Sequence, residues 1–242
     1  MKVPSVLSKS IKRFYKDSSV EVRDGGFAIL LDGKAVKTPG ARLLCVPSPR
    51  LAEAIAGEWR GQEEQIRPST MPLTQLASTA LDRVGPERAH ITQQLMNYAG
   101  TDLLCYRAEI PADLAARQGA AWQPLLDWAA QTLDAPLVTT TGLSAVAQPT
   151  GALAALQRHL ESYDDWRLTG LQSATAAMGS LILGLALAEG RLDAEAAFQA
   201  SQTDETYQIE QWGEDWEAAD RRAELKADIE AASRFLGLLT PS

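Results

Sequence analysis

The chain has 242 residues, enough for one large domain or two small ones around a real core. It is 45% hydrophobic and 22% charged, an ordinary globular balance that excludes general disorder. A formal charge of −8 and a pI near 4.9 argue against nucleic acid, and no block of Lys and Arg supplies a phosphate-binding stripe.

The first residues, MKVPSVLSKSIKRF, lack an apolar run and a small-residue cleavage site, so the chain reads as untargeted or already mature. KSIKRFYK, Lys9 to Lys16, is locally basic and reads as a solvated arm. Val20 and Val22 then alternate with Glu21 and Arg23, ahead of a turn at Asp24-Gly25-Gly26. After the run Phe27 to Leu31, Asp32-Gly33 favours a two-residue hairpin turn, because both positions need φ > 0. Pro39-Gly40 breaks the chain again, and RLLCVPS supplies a further strand. The result is an antiparallel meander with one face to cover. A helix capped by Ser48 and opened by Pro49, with Leu51, Ile55 and Trp59 on one stripe, provides the cover.

RPSTMP, Arg67 to Pro72, interrupts the pattern and sets the boundary between a β-rich domain, residues 1–70, and a helical domain, residues 71–242. A stripe from Leu73 to Val84 ends at Gly85-Pro86, and a helix from Glu87 to Ala99 follows. Thr101 is placed as a cap, and Pro124 starts a new helix after Trp122. APLVTTTGLSAVAQP is too rich in β-branched residues and Pro for a helix and reads as an extended connection. Further helices are expected over 150–162, 164–189, 193–212 and 215–236, with Gly190 and Gly213 as ends. Leu168 to Ala188 is uncharged and long enough to span a membrane. Its Thr169, Gln172, Ser173 and Thr175 make a buried central helix the better reading, and Gly179, Ser180 and Gly184 suggest close helix packing.

Catalytic motifs are absent: no phosphate loop, no Gly-x-Ser-x-Gly, no Cys-x-x-Cys and no His-Glu-x-x-His. His90 and His159 read as exposed helix residues, and Cys45 and Cys105 as buried, inert thiols, as a reducing compartment allows. No metal and no cofactor is expected. TDETYQIEQWGEDWE, Thr203 to Glu217, stands apart for its acids, amides and aromatics. On a helix, Asp204 and Gln208 share a face with Gln211 and Trp212. Two readings stay open: a solvated amphipathic helix whose Trp212 tucks into the bundle, or a surface that grips another protein.

Five ordered blocks carry a resemblance: RFYKDSSVEVRDGGFAILLDGKAVKTP, EWRGQEEQIRPSTMPLTQLASTALDRV, TDLLCYRA, QPLLDWAA and YQIEQWGEDWEAA. Together they resemble the F1-ATPase assembly chaperone family over nearly the whole chain. The resemblance implies an α+β protein, with a small β-rich α/β domain followed by a larger all-helical domain. It implies no enzymatic activity and no cofactor. The implied partner is unassembled F1 alpha subunit of ATP synthase, whose beta-facing surface is shielded against aggregation. Implied contact residues are Glu205, Gln208, Glu210, Gln211 and Trp212; Trp59, Asp102, Arg107 and Gly213 match family blocks and read as architectural. Gln202 and Thr203 stand where the family often has an Arg and an apolar residue, and Ser78 where an Asn is common. A bacterial, cytoplasmic member is expected, or a mitochondrial-matrix protein if the chain is a mature eukaryotic form. It is expected to be monomeric when free, without nucleic acid or membrane insertion. The competing classes are a small-molecule enzyme using Asp102, Glu205 and Glu210 in an interdomain cleft, and a scaffold for an unrelated protein.

Overall fold

The structure is a computed structural model that describes residues 11–23, 25–142, 146–213 and 215–239. Lys9 of the basic run, Asp24 of the expected turn and residues 143–145 of the expected extended connection lie outside these. The chain divides into two compact units, one ending at Asp82 and one beginning at Arg83.

In the first unit, strands β1 (Ile11–Lys12), β2 (Ser18–Arg23), β3 (Gly26–Leu31), β4 (Lys34–Ala35) and β5 (Cys45–Val46) lead into helix α1 (Pro49–Arg60). β2 and β3 form an antiparallel ladder from Ser18↔Leu31 to Arg23↔Gly26, and β3 also pairs β4 and β5. Asp32 and Gly33 take φ of 47° and 77° between β3 and β4, the left-handed pair that a tight hairpin needs. Strand β6 (Gln65–Ile66) pairs β1. α1 buries Leu51, Ala52, Ile55 and Ala56 against the sheet, and Ser48 accepts from Leu51 N as its cap. Each buried Leu or Ile contributes about 1.5–3 kcal/mol.

Helix α2 (Pro72–Thr79) has no cap of its own. Glu58 of α1 supplies one, accepting from Leu73 N and Thr74 N at 2.8 Å. Asp82 then accepts from Thr38 Oγ1 and Gly40 N, both at 2.7 Å. These bonds fasten α2 and its sequel to the β-rich unit. The unit therefore runs past the Arg67–Pro72 interruption, where the sequence sets the boundary.

A π turn (Ala80–Val84) passes directly into α3 (Gly85–Gly100), so Gly85-Pro86 does not end the helical path. Pro86 falls in the first turn of α3, just after the helical path widens into the π turn. Strands β7 (Tyr106–Arg107) and β8 (Thr140–Thr141) form a short parallel pair inside the otherwise helical second unit. Helix α4 (Ala112–Thr132) runs unbroken through Pro124, contrary to the expected restart there. Trp122, Leu125, Leu126 and Ala129 are buried on both sides of the proline, and their packing outweighs one lost backbone bond.

Helix α5 (Thr150–Ser162) matches its expected span. The expected single helix over 164–189 is two, α6 (Asp165–Met178) and α7 (Leu181–Ala188). Gly179 breaks it with a φ of 67°, and Ser180 caps α7 by accepting from Leu183 N at 3.0 Å. The helix over 193–212 is likewise two, α8 (Ala194–Ser201) and α9 (Thr203–Trp212). At that joint Ser201 and Thr203 hydroxyls donate to the Phe198 and Ala200 carbonyls, which bends the path. Helix α10 (Trp216–Leu239) packs along α6. Asp164, Asp193 and Asp215 each accept from the N–H three residues on, opening α6, α8 and α10. Among the described residues, no helix is long and apolar enough to cross a membrane.

The close packing expected at Gly184 is present: a Cβ there would lie 2.3 Å from Thr175 Oγ1 and 3.1 Å from Leu171 Cδ1. Gly119 in α4 faces open space. Gly184→Ala is expected to lower stability by about 1–3 kcal/mol through overpacking. Gly119→Ala is expected to raise it by about 0.5–1 kcal/mol. Urea denaturation of both variants checks the pair.

Candidate functional site

α9 has two different faces. Asp204, Tyr207 and Glu210 turn to α4: Asp204 accepts from Gln118 Nε2 at 2.8 Å, Tyr207 donates to Asp113 at 3.0 Å, and Glu210 pairs with Arg117 at 2.6 Å. Arg117 also lies over the Tyr207 ring, 5.3 Å from its centroid. Burial, then the bond to the Asp113 carboxylate, raises the Tyr207 phenol pKa.

The other face presents Glu205, Gln208, Ile209 and Trp212, the i, i+3, i+4, i+7 set of one helix stripe. They border an open groove of about 660 Å³. α10 lines it with Ala218, Arg221, Arg222 and Leu225, which repeat the same spacing. Leu103 and the Met178-Gly179 end of α6 complete the lining. Arg222 is committed, donating to Thr206 Oγ1 at 2.8 Å, whereas Arg221 has no ion pair among the described residues. Trp212 does not tuck into the bundle: it is 79% exposed, and Trp216 is 77% exposed. Gly213 takes φ 85° and ψ 166°, a conformation that essentially only glycine adopts, and it turns the chain from α9 toward α10.

The structure thus divides the residues singled out in sequence. Glu205, Gln208, Trp212 and Gly213 line the groove; Glu210 pairs with Arg117, and Gln211 is exposed outside the lining. Asp204 and Gln208, neighbours at i and i+4, make different contacts: Asp204 bonds to α4 and Gln208 lines the groove. The α10 residues were missed in sequence. The signal was present in the spacing of Ala218, Arg221, Arg222 and Leu225, masked by the charges around it.

Asp102 is completely buried and accepts from Ser180 Oγ at 2.7 Å, Leu104 N at 3.1 Å and Ile182 N at 3.1 Å. It, rather than Thr101, is the capping residue of that block. Burial pushes its carboxyl up to about 6, against the opposing pull of those donors. The same burial, with Asp102 nearby, pushes the Cys105 thiol up to about 12, so it is no thiolate at neutral pH. Cys45 is half-buried rather than buried, and its thiol is also raised by burial. Arg107 donates to the Leu104 and Gln118 carbonyls at 3.0 and 2.7 Å and stacks on Trp122. In the first unit, half-buried Trp59 packs edge-on to Tyr15 and accepts its hydroxyl at the backbone oxygen, 2.7 Å. His90 is exposed as expected; His159 is half-buried, 3.5 Å from Glu189. Among the described residues no group of His, Cys, Asp and Glu could hold a metal ion.

Residues 12–130 match the family described as ATP12 chaperone protein. The crystal structure of Atp12 from Paracoccus denitrificans is 41% identical, with a TM-score of 0.91 over 95% of this chain and 98% of that one. A solved protein from Agrobacterium tumefaciens is 42% identical, with a TM-score of 0.91 over 96% and 87%. Protein atp12, mitochondrial, of Schizosaccharomyces pombe is 27% identical over 216 residues, 84% of this chain and 74% of its own length. The protein is a chaperone of α+β fold. The chain belongs to the ATP12 family, chaperones of ATP synthase assembly.

The raised carboxyl of Asp102 carries a sign. Its stabilising contribution is full below its unfolded value of about 4 and is lost as pH rises through about 6. Relative to Asp102→Asn, which does not titrate, the native chain is expected to lose about 3 kcal/mol between about pH 4 and pH 7. Urea unfolding of both proteins across that range tests this; a stability difference that ignores pH would refute it.

Proposed function

We propose that the groove between α9 and α10 binds unassembled F1 alpha subunit, covering its beta-facing surface until the hexamer forms. The observation that carries this reading is the exposed tryptophan that lines the groove, Trp212, with a second exposed tryptophan, Trp216, at the start of α10. Large aromatic rings left in water are unfavourable for a lone protein but suit a surface completed by a partner. Covering one ring recovers on the order of 1.5–3 kcal/mol. Glu205 and Gln208 then fix orientation, and Arg221 offers the opposite charge across the groove. Family membership supports ATP synthase as the assembly concerned.

The contact set is Glu205, Gln208 and Trp212. Glu210 and Gln211 fall outside it, because Glu210 is spent on Arg117 and Gln211 leaves the lining. An enzyme built on Asp102, Glu205 and Glu210 gains no support from their surroundings. Asp102 is sealed among hydrogen-bond donors, Glu205 borders the groove, and Glu210 pairs on the opposite face of α9. The proposal implies a non-enzymatic role, in which affinity is moderate and the true beta neighbour displaces the chaperone with a larger interface.

Glu205→Lys is expected to stay folded and to stop co-purifying with alpha subunit, and Trp212→Ala to weaken capture by about tenfold or more. Glu210→Gln is expected to capture normally. Undiminished capture by the Glu205→Lys and Trp212→Ala chains would remove the groove from the contact.

A further inference from the structure

The two units carry opposite charge. Residues 1–82 hold 12 Lys and Arg against 9 Asp and Glu, net +3, whereas residues 83–242 hold 11 against 22, net −11. In an acidic protein the positive share is therefore concentrated in the β-rich unit. There the basic run read as a solvated arm meets a second set of cations. Phe14 and Tyr15 line a pocket of about 340 Å³ together with Trp59, and Lys34 and Lys37 line the same pocket from β4 and the residues after it.

The pocket has an apolar side and a cationic one. Phe14, Tyr15 and Trp59 form a chain of edge-on rings, with centroids 5.4 and 5.7 Å apart. Tyr15 is buried, but Phe14 at the open end is 71% exposed. The Trp59 indole Nε1 is shielded and has no acceptor among the described residues. Lys34 and Lys37 are exposed and make no ion pair among the described residues. The acid of the pocket, Asp32, is engaged by the Lys16 and Asp17 amides at 3.0–3.1 Å, which hold its carboxyl low. Arg13 donates to the Tyr15 and Lys16 carbonyls and lies over the Tyr15 ring, 4.8 Å from its centroid.

We propose that this pocket docks an acidic peptide segment carrying one aromatic or long aliphatic side chain. The apolar side chain packs on Phe14 within the ring chain, and flanking carboxylates meet Lys34 and Lys37. Charge complementarity selects the occupant: the same unit repels a basic segment, and unpaired lysines beside an exposed ring favour an anion joined to an apolar group. Every residue involved lies in the first unit, so the proposal stands or falls apart from the groove reading.

The probe is a fluorescent peptide of glutamates flanking a single Trp, titrated into the full chain and read by anisotropy. Saturable binding is expected, weakened by added salt, with no binding of a lysine-flanked counterpart. Lys34→Glu with Lys37→Glu is expected to weaken it about tenfold or more, and Phe14→Ser to weaken it independently. All five results together support the site. Binding unchanged in both variants overturns it. Lysine-dependent sedimentation with phosphatidylserine vesicles, without peptide binding, overturns it in favour of a lipid surface. Self-association abolished by the lysine variant, without peptide binding, overturns it in favour of a second copy.

Discussion

Among the described residues the Asp102 carboxylate has no cation as a hydrogen-bond partner, although it is completely buried in the helical unit. Such a charge survives burial only where fixed dipoles replace water. Here the dipoles are two backbone amides and one hydroxyl, and they come from two separate breaks in helical structure. One break is the short turn after α3; the other is the Gly179-Ser180 joint between α6 and α7. Holding both to one carboxylate fixes their spacing. Their immediate neighbours, Leu103 and Met178-Gly179, line the groove. The shape of the groove therefore depends on a buried group that no partner touches. Gly184 reinforces the arrangement by allowing α7 to approach Thr175 and Leu171 of α6.

α9 is placed by different forces. Only Tyr207 is buried along it, too little apolar surface to seat a helix by itself. Polar and cationic contacts to α4 take over, with Gln118, Arg117 and Asp113 each meeting a residue of one α9 face. Those exposed pairs are individually weak. Their joint effect is orientation: once Asp204, Tyr207 and Glu210 are held, Glu205, Gln208 and Trp212 must face away. Trp122 links the same support to α8, through an indole bond to the Ala200 carbonyl at 2.8 Å.

Local chemistry was legible in the sequence. The Asp32-Gly33 turn, the Ser48 cap and the helix starts after Asp164, Asp193 and Asp215 are set by residues within a few positions of each other. The breaks at Gly179 and Gln202 were not legible, because apolar periodicity continues across a bend that hydroxyls and a single left-handed residue produce. Continuity through Pro124 was hidden for the opposite reason, since packing by Trp122 and Leu125 overrides a local breaker. The aromatic and acidic block announced a special helix, yet its division into two faces requires knowing where α4 lies. The α10 contribution was concealed because a groove is defined by surface left unfilled, which periodicity does not report.

Rigid support below and bare tryptophan above suit a chaperone that must let go. A preorganised surface loses little conformational entropy on binding, so a small contact is enough for capture. The proposed contact set, Glu205, Gln208 and Trp212, is far smaller than the roughly 20–30 residues a side of a standard stable protein interface. On the reading proposed here, that shortfall allows the permanent neighbour to win. A second, chemically opposite site on the basic unit would add affinity through multivalency without enlarging either contact. Each contact then stays weak enough to break separately, and release needs no conformational trigger beyond competition.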